Sequence, residues 1–267
     1  IGFALAVAGK FMDVRLIARL YSLPPSDVVS QIRINFSMVL NLLLSHSPDQ
    51  IEELLKKSFA SYLITNSKQK NADFDGHKYL WQNFLGHLNF LNRTGFVNAE
   101  SELTRDGQWA SQLRVDQPLL IAEGFRRKVL PQSDPDMLAA VIASFVYERE
   151  AEESISMKFV PDSLLKTFSK VAEALKPFAT QLAKSKFVVR PLQLRPAATV
   201  YAWACGQSWE RVLKIAEMEE GDLAMLIVRT TDNLRHIRGL KDVFPEVSQT
   251  ASMSIEKIIR EPVAVVY

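Results

Sequence analysis

Apolar residues recur at helical spacing through most of this chain, and a few short polar or proline-bearing stretches interrupt them. From Gln31 to Leu44, Ile32, Phe36, Val39, Leu40 and Leu43 mark one face of a helix. Ser47 and Pro48 then open a second helix through DQIEELLKKSFASYL, since a capping hydroxyl followed by proline suits a helix start. Before these, residues 1–8 read as a buried strand. Asp13, Val14, Leu16, Ile17 and Leu20 read as a short helix over 13–21, and the two prolines of SLPPSD end it. The run TNSKQKNADFDG has no period and predicts an exposed loop.

A more informative pattern follows. The helix KYLWQNFLGHLNFLNRTG closes at Gly95, Phe96–Asn98 and Glu102–Thr104 read as two short strands around a turn, and Thr104 caps the helix TRDGQWASQLR. Helix, hairpin, helix is the outline of a winged helix, a module that often reads duplex DNA. Here the helix before the hairpin shows Trp81, Phe84, Leu85, Leu88 and Leu91, a core face, and few cations project where phosphates would lie. Packing is the better reading of its job.

Beyond Arg114 the pattern predicts helices only: Gln117–Val129, Asp134–Glu150, Pro161–Ser185, Pro196–Cys205, Ser208–Met218, Glu220–Leu240 and Ser248–Arg260. The fold class is mainly α, a winged helix with a small β-hairpin followed by a helical bundle. The expected division is 1–29 as a leading segment and linker, 30–114 as the winged helix and 115–267 as the bundle. One helix stands out. In EMEEGDLAMLIVRTTDNLRHIRGL, Leu223, Ile227, Thr230 and Leu234 share one side, while Met225, Arg229, Asp232 and His236 form a row on the other. That row is either solvated, with Arg229 and Asp232 as an i,i+3 pair, or it touches something.

Composition narrows the choice little. The chain has 267 residues, 48% of them apolar, and a net charge of +2, so bulk charge points to no partner. No apolar run is long enough to span a bilayer, and IGFALAVAG lacks the flanks of a signal peptide. The single cysteine, Cys205, fits a reducing cytoplasm and argues against zinc. Candidate chemistry is sparse. AGKF at Ala8 lacks the first glycine of a phosphate loop and has Phe11 where a magnesium-binding hydroxyl belongs. The four histidines, His46, His77, His87 and His236, have no metal-ligand spacing. YEREAEES at Tyr147 reads as a solvated or partner-facing charge run, and FRRK at Phe125 as a solvent-facing basic turn in preference to a phosphate contact. The polypeptide taken alone reads as non-catalytic. Its opening on an apolar run without Met suggests a piece of a longer protein.

Four blocks together carry a resemblance: SQIRINFSMVLNLL from Ser30, LTRDGQWASQLRVDQPLLIAEGF from Leu103, LAAVIASFVYERE from Leu138 and MEEGDLAMLIVRTTDNLRHI from Met218. In order and spacing they resemble the C-terminal region of superkiller-type DExH-box RNA helicases, including the DSHCT domain. The resemblance implies that residues 1–29 are the tail of a second RecA-like motor domain, and that the motor motifs, with bound ATP and Mg, lie upstream. No cofactor is expected within this chain.

The same resemblance implies intramolecular packing on RecA-like motor domains, no membrane, and a ratchet helix touching threaded single-stranded RNA. By alignment on EGDL the RNA contacts fall at Arg229 and Asp232, with Met225 and His236 extending the row. Relatives that serve the exosome insert a long arch where this chain has only Thr65–Gly76, which points to a bacterial or organellar type. A related DNA repair helicase, a winged-helix DNA-binding regulator and a protein-interaction module remain open.

Overall fold

The computed structural model describes residues 32–66, 75–146 and 155–265, with positions 13–16, 19, 23 and 30. The strand expected at 1–8, AGKF, the SLPPSD prolines, most of the helix at 13–21, the middle of the 65–76 loop and YEREAEES lie outside the described residues.

The chain is mainly helical. Helices α1 (Phe36–Leu43), α2 (Pro48–Lys56), α3 (Phe59–Thr65), α4 (Gly76–Arg93) and α5 (Arg105–Ala110) make up its first part. Helices α6 (Pro118–Arg126), α7 (Pro135–Ala143), α8 (Asp162–Lys184), α9 (Leu194–Ala204), α10 (Trp209–Ala216), α11 (Glu220–Arg238) and α12 (Pro245–Ile258) follow. Most starts use the residues the sequence offers: Asn35 accepts from the Met38 N–H at 2.9 Å, and Asp134 from Met137 at 3.0 Å. Ser47 and Gln50 complete a reciprocal capping box.

Besides the start of α1, which falls at Phe36 and not at Gln31 because the extended Asn35 caps it there, three expectations need correction. The helix expected to run unbroken from Pro48 through Leu63 is divided between α2 and α3 at Ser58. The Ser58 hydroxyl donates back to the Leu55 carbonyl at 2.7 Å and accepts from the Ser61 N–H at 3.1 Å. A serine that bonds its own backbone on both sides closes one helix and caps the next. Helix α7 ends at Ala143, short of Glu150, because Ser144 turns its hydroxyl onto the Val141 carbonyl and its own carbonyl accepts from the Gln193 N–H at 3.0 Å.

The third correction is the hairpin. Among the described residues no strand pair forms, only one antiparallel bridge between Val97 and Leu103. The N–H groups of Phe96 and Val97 both turn back to the Leu91 carbonyl, at 2.9 and 3.3 Å, where they close the end of α4. Donors used at a helix C-terminus cannot also extend a ladder. Around that bridge the Asn98 N–H donates to the Glu102 carbonyl at 2.8 Å and the Thr104 N–H to the Phe96 carbonyl at 3.1 Å, while the Thr104 hydroxyl donates to the Gly95 carbonyl at 2.8 Å.

Helix α7 is the centre of the second part. Its residues Met137 to Ala143 are all buried, as a helix apolar on every side must be, and α9, α11, α12 and α8 pack around it. Apolar packing runs without interruption from Val39 and Leu40 in α1 to Ile258 in α12. Phe84, Leu88 and Leu91 of α4 are buried as their spacing predicts, with Trp81 and Leu85 partly covered. Trp203 is sealed in the core, and its indole N–H donates to the Ile258 carbonyl at 2.8 Å.

Phe187, in the chain that follows α8, packs on Phe36 and on His87, each with ring centroids 4.7 Å apart. The His87 Nδ1 donates to the Asn83 carbonyl at 2.7 Å, and burial pushes the ring's pKa below its ordinary 6.5. A depressed folded-state pKa means that stability is full above the unfolded value and is lost as pH falls through the folded one. Urea titrations at pH values between roughly 7.5 and 5 should show this loss in the wild type and a smaller loss in His87→Phe.

Candidate nucleic-acid interface

Helix α11 has the two-sided character its sequence implies. Leu223, Ile227, Thr230 and Leu234 are fully buried, and the hydroxyls of Thr230 and Thr231 donate to the Leu226 and Ile227 carbonyls at 2.7 and 2.9 Å. Polar atoms therefore enter the core already bonded. On the other side Met225 is half exposed and Asp232 is exposed, while Arg229 and His236 are half-buried. Arg229 is not sealed in the bundle, since its side chain keeps 32% of its exposure.

The pairing along the row reaches beyond i,i+3 contacts. Asp232 accepts from Arg235 Nη1 at 3.2 Å. Arg229 Nη2 donates to Asp116 Oδ1 at 2.9 Å, across 113 positions of sequence. Asn233, one turn beyond Arg229, donates to Asp116 Oδ2 and accepts from the Asp116 N–H, each at 3.4 Å. Two side chains of α11 thus hold the loop between α5 and α6 by one aspartate. A partly exposed pair of this kind contributes about 0.5–1 kcal/mol, so its main effect is orientation of the guanidinium.

Arg229 and Asn233 at i,i+4 were a readable polar pair; Asp116 was not, because nothing local marks a partner so distant. Arg235, His236 and Arg238 also occupy the last turn of α11, with Glu220 and Asp222 in its first, as the helix dipole favours. That preference alone accounts for a histidine at position 236.

All three cations of FRRK are exposed, as expected, but the first arginine is also tied to its neighbours. Arg126 Nε pairs with Asp106 at 3.0 Å, its Nη1 donates to the Thr94 carbonyl at 2.9 Å, and the guanidinium lies 4.8 Å from the Phe96 ring centre. The residue joins α5, α6 and the end of α4. Among the described residues no group of His, Cys, Asp or Glu side chains is placed to hold a metal ion, and no helix is long and apolar enough to cross a membrane.

The DSHCT (NUC185) domain model matches residues 100–266, from the turn before α5 to beyond the end of α12. The chain belongs to the DSHCT family. Relatives of this DSHCT chain include the chloroplastic DExH-box ATP-dependent RNA helicase DExH15 of Arabidopsis thaliana, 27% identical over 195 residues. That match covers 69% of this chain and 16% of the relative. DExH-box ATP-dependent RNA helicase DExH10 of the same plant is 20% identical over 83% of this chain and 23% of its own length. The ATP-dependent RNA helicase mtr4 of Schizosaccharomyces pombe is 24% identical over 55% of this chain and 14% of its own. The DSHCT chain therefore spans less than a quarter of each of these relatives.

Proposed function

We propose that this chain is the non-catalytic C-terminal part of an ATP-dependent RNA helicase, in which α11 acts as a ratchet helix along single-stranded RNA. The observation that carries the reading is the row of Met225, Arg229, Asp232 and His236 on the solvent side of α11, inside a DSHCT match whose relatives are named RNA helicases. The segment from α1 to α5 serves as a winged helix that braces RecA-like motor domains, and those domains bind ATP and Mg. Its lone Cys205 suits a cytoplasmic or other reducing setting. The short Thr65–Gly76 connection suits a bacterial or organellar type that works without an arch.

In this role Asp116 holds one edge of the Arg229 guanidinium and fixes its plane. An arginine so oriented stacks on a base or bonds a phosphate without regard to sequence, which a translocating motor requires. Asp232, one turn on, accepts from a sugar hydroxyl or base edge. Met225 offers an apolar surface to the neighbouring base, and His236 ends the row.

A DNA repair helicase is the competing reading, and strand displacement by the full-length protein separates the two. On RNA and DNA duplexes with matched single-stranded overhangs, ATP-dependent displacement should favour RNA. Equal or faster displacement of DNA would assign the protein to repair.

A further inference from the structure

Residues 157–194, which contain α8, carry seven Lys or Arg and two Asp or Glu, a net of +5 in a chain whose total is only +2. All the rest of the chain therefore sums to −3. Lys166, Lys170, Lys176 and Lys184 are exposed along α8, and Lys186 and Arg190 are exposed on the chain that returns beside it. At about 1.5 Å per residue, Lys166 and Lys184 stand roughly 27 Å apart. Lys184, in the last turn, satisfies the helix dipole; Lys166, Lys170 and Lys176 lie too far from the end to be placed there for that reason. Among the described residues none of these lysines is paired with a carboxylate, whereas Lys56, Lys57 and Lys257 each are.

The basic face meets α11 through a single loop. Asp116 accepts from Arg229, and the next residue, Gln117, accepts the Arg190 N–H on its side-chain carbonyl at 3.1 Å. Arg190 and Lys176 then line one shallow groove between α6 and α8, with Glu173 as its one carboxylate. Farther along, Lys184 and Arg93 line a second groove with Asn89 and Asn92. Polar groups thus continue from Arg229 in the α11 row across the Asp116–Gln117 loop, and cations continue along α8.

We propose that this face is an external track for the phosphodiester backbone of single-stranded RNA, beyond the contacts at α11. The inference rests on the ratchet reading for its polymer. Spaced ammonium groups over a long flat surface neutralise successive phosphates and read no bases.

The test uses the full-length protein, a roughly 20-nucleotide uridine RNA and fluorescence anisotropy over about 50–200 mM salt. In K170Q/K176Q/K184Q, helix propensity and fold are kept, and melting should be unchanged. Affinity should fall about tenfold at low salt, and the slope of log K against log salt should flatten by about 2, close to 0.7 for each lost contact. An unchanged slope in this variant, with Arg229→Ala still impaired in strand displacement, overturns the track and leaves the ratchet intact. No RNA binding by the wild type sinks both. If the variant loses affinity for polyglutamate while its RNA slope is unchanged, the face belongs to an acidic protein and the proposal is overturned.

Discussion

Arg229→Ala in the full-length protein is expected to slow displacement of an RNA duplex about tenfold, with ATP hydrolysis in the absence of RNA unchanged. Tenfold corresponds to about 1.4 kcal/mol, within the range that one stacking or phosphate contact supplies to single-strand binding. Arg229 also holds Asp116 at 2.9 Å, so the loss needs a control that breaks the same bond from the other side. Asp116→Ala provides it, since it removes the carboxylate's contacts with Arg229 and Asn233 and leaves the guanidinium in place. If Arg229 acts on RNA, Asp116→Ala lowers displacement only two- to threefold, by loosening the arginine, and Arg229→Lys restores less than half the rate because an ammonium neither stacks nor forks. Equal losses in Arg229→Ala and Asp116→Ala, each with a lowered Tm, would make the residue a structural tie. Unchanged displacement in Arg229→Ala would remove α11 from the RNA path.

The two variants also mark where sequence reasoning reached its limit. Periodicity is local, and it located α11 because eight of its side chains, including Leu223, Ile227 and Leu234, are buried on a regular spacing. The same logic gave every later helix in outline, since each presents an apolar face to α7 or to a neighbour packed on it. It could not tell which carboxylate meets Arg229. Asp232 is near in sequence and accepts from Arg235, whereas Asp116, which accepts from Arg229 at 2.9 Å, comes from a loop folded against the helix. Periodicity also misjudged the ends of elements. Ser58 and Ser144 look like ordinary polar positions until their hydroxyls are seen bonded to nearby carbonyls, at 2.7 and 2.6 Å, and the donors of Phe96 and Val97 are absorbed by a helix terminus. Resemblance carried the family, and α11's two-sided pattern agreed with it; the charge asymmetry of α8 was present in the sequence but had no direction until Gln117 joined it to Arg229.

Gly107→Ala is expected to be the most destabilising small substitution in the chain, and its sign is opposite to what propensity alone gives. Alanine favours a helix over glycine by about 1 kcal/mol, so Gly107 inside α5 looks like a defect to be repaired. In the fold, a Cβ at this position would lie 2.0 Å from the Phe96 carbonyl oxygen and 3.1 Å from a Leu103 methyl. The Phe96 backbone cannot yield cheaply, because its carbonyl accepts from the Thr104 N–H at 3.1 Å and its N–H closes α4. Below the same turn, Trp109 donates its indole N–H to Asp106 at 3.0 Å and packs edge-on to Phe244, with ring centroids 5.0 Å apart. Moving α5 outward would open this contact to α12, so overpacking should cost about 3 kcal/mol and lower Tm by about 10 °C. Gly86→Ala is the matched control. It sits inside α4 with nothing within 4 Å of the added methyl, and should raise stability by about 0.5–1 kcal/mol. Calorimetry on the two variants checks the pair. If both stabilise, the close approach of α5 to the 96–104 turn is wrong, and with it the account of why that segment forms one bridge and not a hairpin.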